Sequence, residues 1–150
     1  MVISGKEAGK FIMTLGGDHS ITPTLFEPWA NEGVDILQFD AHCDLRDSYD
    51  GSKQSHACAM RRCMEINDKT NLYRFGIRNT SKSEAQYIKD NSHRIRTNII
   101  PENKKLYLTF DVDAFDISLM PATGTPEPGG LMWNETISLL DEIMKKNTIV

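Results

Sequence analysis

The stretch Asp40-Ala41-His42-Cys43-Asp44 constrains this chain more than any other. Metal-type side chains recur there at every second position, straight after the hydrophobic run Val34 to Phe39. In an extended backbone alternate side chains point to one side. Asp40, His42 and Asp44 are therefore expected to converge at the end of a strand without help from distant sequence. Two other stretches have the same form. Gly16-Gly17-Asp18-His19-Ser20 follows the apolar run Phe11 to Leu15, and Asp111-Val112-Asp113 follows Leu106 to Phe110. Each reads as a strand running into polar ligands at its carboxyl end, where open α/β sheets place their sites.

The intervening chain alternates helix and strand signals, which predicts a three-layer α/β domain with a mostly parallel sheet. Met1 to Lys10 shows no clear structure, because Gly5 and Gly9 weaken a helix. Phe11 to Leu15 is read as a strand, then a helix starts near Ser20 or Thr22, with Pro23 in its first turn and Gly33 as its cap. Val34 to Phe39 is the second strand. Ser55 is the expected N-cap of a helix running to about Glu65. Asn71 to Ile77 is a strand, Lys82 to Asp90 a polar helix, and Asn91 to Asn103 is uninformative. Leu106 to Phe110 is a strand, Met132 to Lys146 an amphipathic helix, and Asn147 to Val150 the start of another strand. Between them lies Pro121 to Gly130, a loop so dense in proline and glycine that it must follow a specific path.

Several function classes are excluded. The formal net charge is −4 with no basic patch, which argues against nucleic acid as a partner. No apolar run approaches the roughly 20 residues that span a bilayer. The N-terminus lacks the apolar core of a signal peptide. The three cysteines, Cys43, Cys58 and Cys63, are odd in number and form no CxxC pair, which fits reduced thiols in a cytoplasm.

The candidate ligands are His19, Asp40, His42, Asp44, Asp111 and Asp113. A histidine in a turn such as His19 is, taken alone, more often structural; its neighbours and the downstream ligands reverse that reading. Asp116 falls off the alternation and reads as a cap or a partner of the ligands. His56, near a helix N-terminus where the dipole disfavours imidazolium, suits a proton shuttle and a plain packing histidine equally. Oxygen ligands with a minority of imidazoles favour Mn²⁺ over Zn²⁺. Six side chains are too many for one ion that keeps an open position, and suit two ions with bridging carboxylates.

Together, the three ligand stretches in this order, followed by Pro121-Ala122-Thr123-Gly124-Thr125-Pro126-Glu127-Pro128-Gly129-Gly130, resemble the ureohydrolase family of arginases and agmatinases over residues 11–150. The resemblance implies an arginase-like fold, incomplete here, since relatives extend further at both ends. It implies that His19 and Asp44 bind one manganese, His42 and Asp113 the other, and Asp40 and Asp111 both. A hydroxide shared by the ions would attack the guanidinium carbon, giving urea and an amine. His56 matches the family's proton-shuttle histidine, and Thr125 a position lining the substrate pocket. The family's substrate-clamping Glu would fall after the strand beginning at Ile149, past the last residue. Leu45-Arg46-Asp47 lacks the Asn that arginases use to hold an α-carboxylate, so the resemblance is strongest to agmatinase, with putrescine and urea as products. Arginase or another guanidino-acid hydrolase, and a metal-binding remnant without turnover, are the alternatives. Relatives also imply homo-oligomers for a full-length protein.

Overall fold

In the computed structural model, which describes residues 2–150, five parallel strands form one sheet in the order β3-β2-β1-β4-β5. They are β1 Val34–Phe39, β2 Leu72–Phe75, β3 Ile95–Thr97, β4 Lys105–Phe110 and β5 Thr148–Ile149. Every residue of β1 is buried, as expected of a central parallel strand covered on both faces. One face packs Ile36, Met60, Cys63, Met64, Leu72 and Phe26 beneath α2 (Thr22–Phe26), α3 (Ala59–Ile66) and α4 (Lys82–Asp90). The other packs Leu37, Phe39, Phe75, Leu106 and Ile143 beneath α5 (Trp133–Lys146). This is the three-layer arrangement the alternation predicts. Phe39 stacks between Phe75 and Phe110, with ring centroids 5.4 and 5.1 Å away, and so fixes the carboxyl ends of β1, β2 and β4 side by side.

The strand order reverses direction between β1 and β4. β2 and β3 are laid down on one side of β1, and β4 and β5 on the other. The crevice outside the carboxyl ends at such a reversal is the standard ligand position in open α/β sheets. Asp40 follows β1 and Asp111 follows β4, in neighbouring register (Phe39 opposite Phe110).

Three expectations are corrected. Phe11 to Leu15 is extended but forms no strand, and Phe11, Met13 and Leu15 are exposed. β5 pairs only with Lys105 and Leu106, so the edge of β4 beyond Leu106 is open, yet among the described residues the segment makes no ladder with it. Instead the segment walls a cleft of about 400 Å³ against Tyr107 to Val112 that ends at His19. Second, Val2–Glu7 is a helix, α1, despite Gly5. Lys6 beneath the Trp29 ring, paired with Glu32, gives it a tertiary anchor. Third, Ile95–Thr97 is a strand within the stretch that carried no signal. Gly33 ends its segment at φ +69° as expected. Ser55 makes no side-chain cap, and the helix after it begins as a 3-10 turn at His56–Cys58.

α4 begins where the sequence predicts and carries a capping box. The backbone N–H of Ser81 donates to Glu84 at 2.9 Å, and Glu84 N–H donates back to Ser81 Oγ. The buried Glu84 carboxylate also accepts from Leu45 N–H at 3.0 Å, directly after Asp44. Glu84→Ala is therefore expected to cost more than an ordinary cap, about 2–3 kcal/mol, because it also orphans a buried amide. Chemical denaturation at constant m-value checks this.

Candidate metal centre

His19 opens a 3-10 turn capped by Asp18, whose carboxylate accepts from Ser20 N–H at 2.9 Å. Its Nε2 meets Thr109 Oγ1 at 3.0 Å, which leaves Nδ1 facing inward. There it lies 2.9 Å from Asp44, 3.2 Å from Asp40 and 3.6 Å from Asp111. None of these oxygens is aligned for a hydrogen bond, so Nδ1 is a buried polar atom without one. His42 repeats the pattern. Its Nδ1 faces Asp113 at 3.0 Å and Asp40 at 3.7 Å.

The donor atoms form two groups, each with all members within 4.8 Å of one another. One is His19, Asp40 and Asp111, and the other is Asp40, His42 and Asp113. Asp40 belongs to both. Asp44 reaches His19 but not by simple alternation, because its backbone is left-handed at φ +49°. Cys43 lies between His42 and Asp44 in sequence but turns elsewhere, its Sγ against Thr80 and Arg74. Asp113 likewise arrives in a 3-10 turn, Val112–Ala114, held by the Asp111 carboxylate accepting from its N–H.

The electrostatics describe a site crowded with negative charge. Burial opposes a charged His19 ring, but Asp40 and Asp44 outweigh it and raise its pKa to about 10. Asp113 and Asp40 raise His42 to about 10. Burial pushes the Asp40 carboxyl up, yet His19 and His42 hold it below the ordinary range. Asp44 is raised to about 6 by burial, with the charge of Asp40 adding to it. Burial also raises Asp111. Such a cluster suits divalent cations, whose charge would replace the protons that the metal-free site takes up. Inward-facing Nδ1 atoms and carboxylate oxygens are a fitting donor set, and the neighbours of the His19 Nδ1 are carboxylate oxygens without an aligned hydrogen bond to it.

Other residues hold these candidate side chains in place. Gln38, wholly buried in β1, donates to Asp40 at 2.9 Å and to the His42 carbonyl at 3.1 Å. Ala41 N–H donates to Asp113 at 2.9 Å. Arg78 donates to the carbonyls of Asp113 and Glu127, both at 2.7 Å. A polar residue inside an otherwise apolar central strand was the available signal for Gln38.

His56 and Thr125 lie outside both groups. His56 Nδ1 is 3.5 Å from Asp18, one residue before His19, and its ring meets Tyr49 edge-on. Thr125 is exposed on the Pro/Gly loop. That loop is pinned at its end by Asp116, which accepts from the N–H groups of Gly129 and Gly130 at 3.0 Å each and from Ser118. At Gly130 a Cβ would meet the Phe115 backbone at 2.4 Å, so glycine is required there.

A sequence model of the arginase family matches residues 3–150. The chain belongs to the arginase family. It is 37% identical to the agmatinase of Pyrococcus horikoshii, over 90% of this chain and 50% of that protein. It is 34% identical to the N(1)-aminopropylagmatine ureohydrolase of Synechocystis sp., over 96% of this chain and 52% of that one. Among solved structures, the agmatine ureohydrolase of Thermoplasma volcanium superposes with a TM-score of 0.82 at 28% identity, covering 99% of this chain and 56% of that one. The arginase of Medicago truncatula superposes at 0.75 and 29%, covering 89% and 46%. The chain thus spans about half the length of the curated relatives it matches. No helix among the described residues is long and apolar enough to cross a membrane.

Proposed function

We propose that this chain carries the metal-holding part of a ureohydrolase that releases urea from a linear guanidino-amine, agmatine being the favoured substrate and putrescine the amine product. The observation that carries this is the buried, hydrogen-bond-free Nδ1 of His19 among three carboxylate oxygens, beside a second group that shares Asp40. His19, Asp40 and Asp111, with Asp44 close by, would hold one divalent cation. Asp40, His42 and Asp113 would hold the other. The preponderance of carboxylate oxygen favours Mn²⁺. When bound, such a pair would supply Lewis acidity and a water ionised at neutral pH.

The protein residues do the rest. Gln38 and Thr109 orient Asp40 and His19. His56, half exposed and steered by Asp18, would deliver a proton to the departing amine nitrogen. Thr125, on a loop fixed by Asp116 and Arg78, would contact the guanidino substrate. Agmatine is preferred over arginine because Leu45-Arg46-Asp47 lacks an amide that would clamp an α-carboxylate. Names of relatives at 32–37% identity divide between agmatinase and aminopropylagmatine ureohydrolase, which supports a cationic amine tail over an amino acid. Three free, buried cysteines support a cytoplasmic setting, and homo-oligomers are inferred for the full-length protein.

The test is urea release by the purified chain with Mn²⁺, offered agmatine, N(1)-aminopropylagmatine and arginine in parallel, with Asp113→Ala as control. Metal-dependent urea from the two amines and none from arginine is expected. A folded, manganese-loaded chain that yields no urea from any of them would overturn turnover by this chain and leave it a metal-binding unit.

A further inference from the structure

We propose that Glu127 is a positioning residue for His42, held against the ring's outer nitrogen by Asn79 and Arg78; this rests on the metal reading of the site. His42 turns Nδ1 toward Asp113 and Asp40, so an imidazole that ligates there carries its proton on Nε2. The Glu127 carboxylate lies 3.8 Å from Nε2, on the side away from the ligands. Imidazoles that bind metals through one nitrogen commonly give the other N–H to a carboxylate or carbonyl, which fixes the ring and raises its basicity. His19 has its own outer partner in Thr109. Glu127 takes that position for His42.

The loop geometry is built for this. Asn79 Nδ2 donates to the same Oε1 of Glu127. The backbone of Asn79 is itself tied to the stretch that bears Asp40 and His42, its N–H donating to the Ala41 carbonyl at 3.0 Å. Arg78 brings the Glu127 backbone into place. Its guanidinium donates to the carbonyls of Glu127, Pro128, Asp113, Ala114, Phe115 and Gly76 at 2.7–3.3 Å. One cation thereby fastens the loop bearing Glu127 to the turn bearing Asp113. Two of those carbonyls, Glu127 and Pro128, belong to the loop, so the backbone that carries Glu127, flanked by Pro126 and Pro128, is held in place.

Glu127→Gln separates this from a merely structural role. Manganese affinity, measured by paramagnetic titration of the free ion, is expected to fall about 10–100-fold. In the metal-free chain the ¹⁵N resonance of His42 Nε2 is expected to move while those of His19 stay, with melting in EDTA unchanged. Parent-like affinity together with an unmoved His42 resonance would overturn the proposal. So would equal movement of both rings with a lowered metal-free melting point. Asn79→Ala, which removes the anchor and keeps the charge, is expected to move affinity and resonance the same way by less, and no movement would count against the proposal. If the parent chain retains no manganese, the metal reading fails, while the His42 resonance still decides whether Glu127 holds that ring.

Discussion

Asp40→Asn is expected to remove both cations at once. Asp40 is the residue common to the two donor groups, and its two oxygens divide between them: one faces His19, the other His42. Its position is rigid, because Gln38 donates to one oxygen and His42 N–H to the other at 2.7 Å. The amide has nearly the same shape but brings no charge, and one of its ends is a donor that cannot ligate. Loss of an outer partner typically weakens a metal site 10–100-fold. Loss of a shared ligand should exceed that, so we expect more than ~100-fold, or more than about 2.7 kcal/mol, for both ions. Asp113→Asn touches one group only. Metal analysis after gel filtration should therefore give near two manganese per parent chain, near one for Asp113→Asn and near none for Asp40→Asn. Two retained equivalents in the Asp40 variant would show that the ions lie elsewhere.

The metal-type residues were legible because they are written locally. Ligands directly after an apolar run need only the strand to form, and β1 and β4 form where hydrophobic burial on both faces demands. The neighbouring register of those strands then brings Asp40 and Asp111 together, a step the parallel alternation of helices and strands already implied. What stayed illegible depends on contacts between distant segments. Ile95-Arg96-Thr97 has no strand pattern of its own and is a strand because Leu72, Tyr73 and Arg74 offer an edge. Phe11 to Leu15 has a strand's composition but runs alongside Tyr107 to Val112 without pairing. Glu127 gave one faint signal, a charge set between two prolines, but its relation to His42 follows from how Arg78 folds the loop. Asp44 shows the limit of the period-two rule. The alternation names it as a ligand, yet it reaches His19 through a left-handed backbone and not through a continued strand.

Asp44 also gives the prediction with opposite signs for the two states. Asp44→Asn should abolish tight binding at the His19 group, by more than ~100-fold on the same reasoning, and should stabilise the metal-free chain. Two effects drive the gain. Asn accepts a left-handed φ of +49° more readily than most residues. It also removes a carboxylate whose ionisation the fold resists. In the folded chain Asp44 has its pKa raised from 3.8 to about 6, mainly by burial. The folded state therefore binds more protons than the unfolded state between those values, and linkage makes stability fall as pH rises through that window. The penalty is fully present above pH 6. His19 and His42, raised from 6.5 to about 10, add a second decline at higher pH. Melting of the metal-free parent, followed in EDTA, should thus fall between pH 4 and 6 and again in the alkaline range. The Asp44→Asn chain should lose the first decline, keep a smaller second one, because His19 loses one of the two carboxylates that raise it, and melt higher at pH 7. With saturating Mn²⁺ the order should reverse, because ligand binding stabilises the parent by mass action and the variant far less. A variant that melts lower than the parent in EDTA at pH 7 would mean that the Asp44 carboxylate supports the fold apart from any metal.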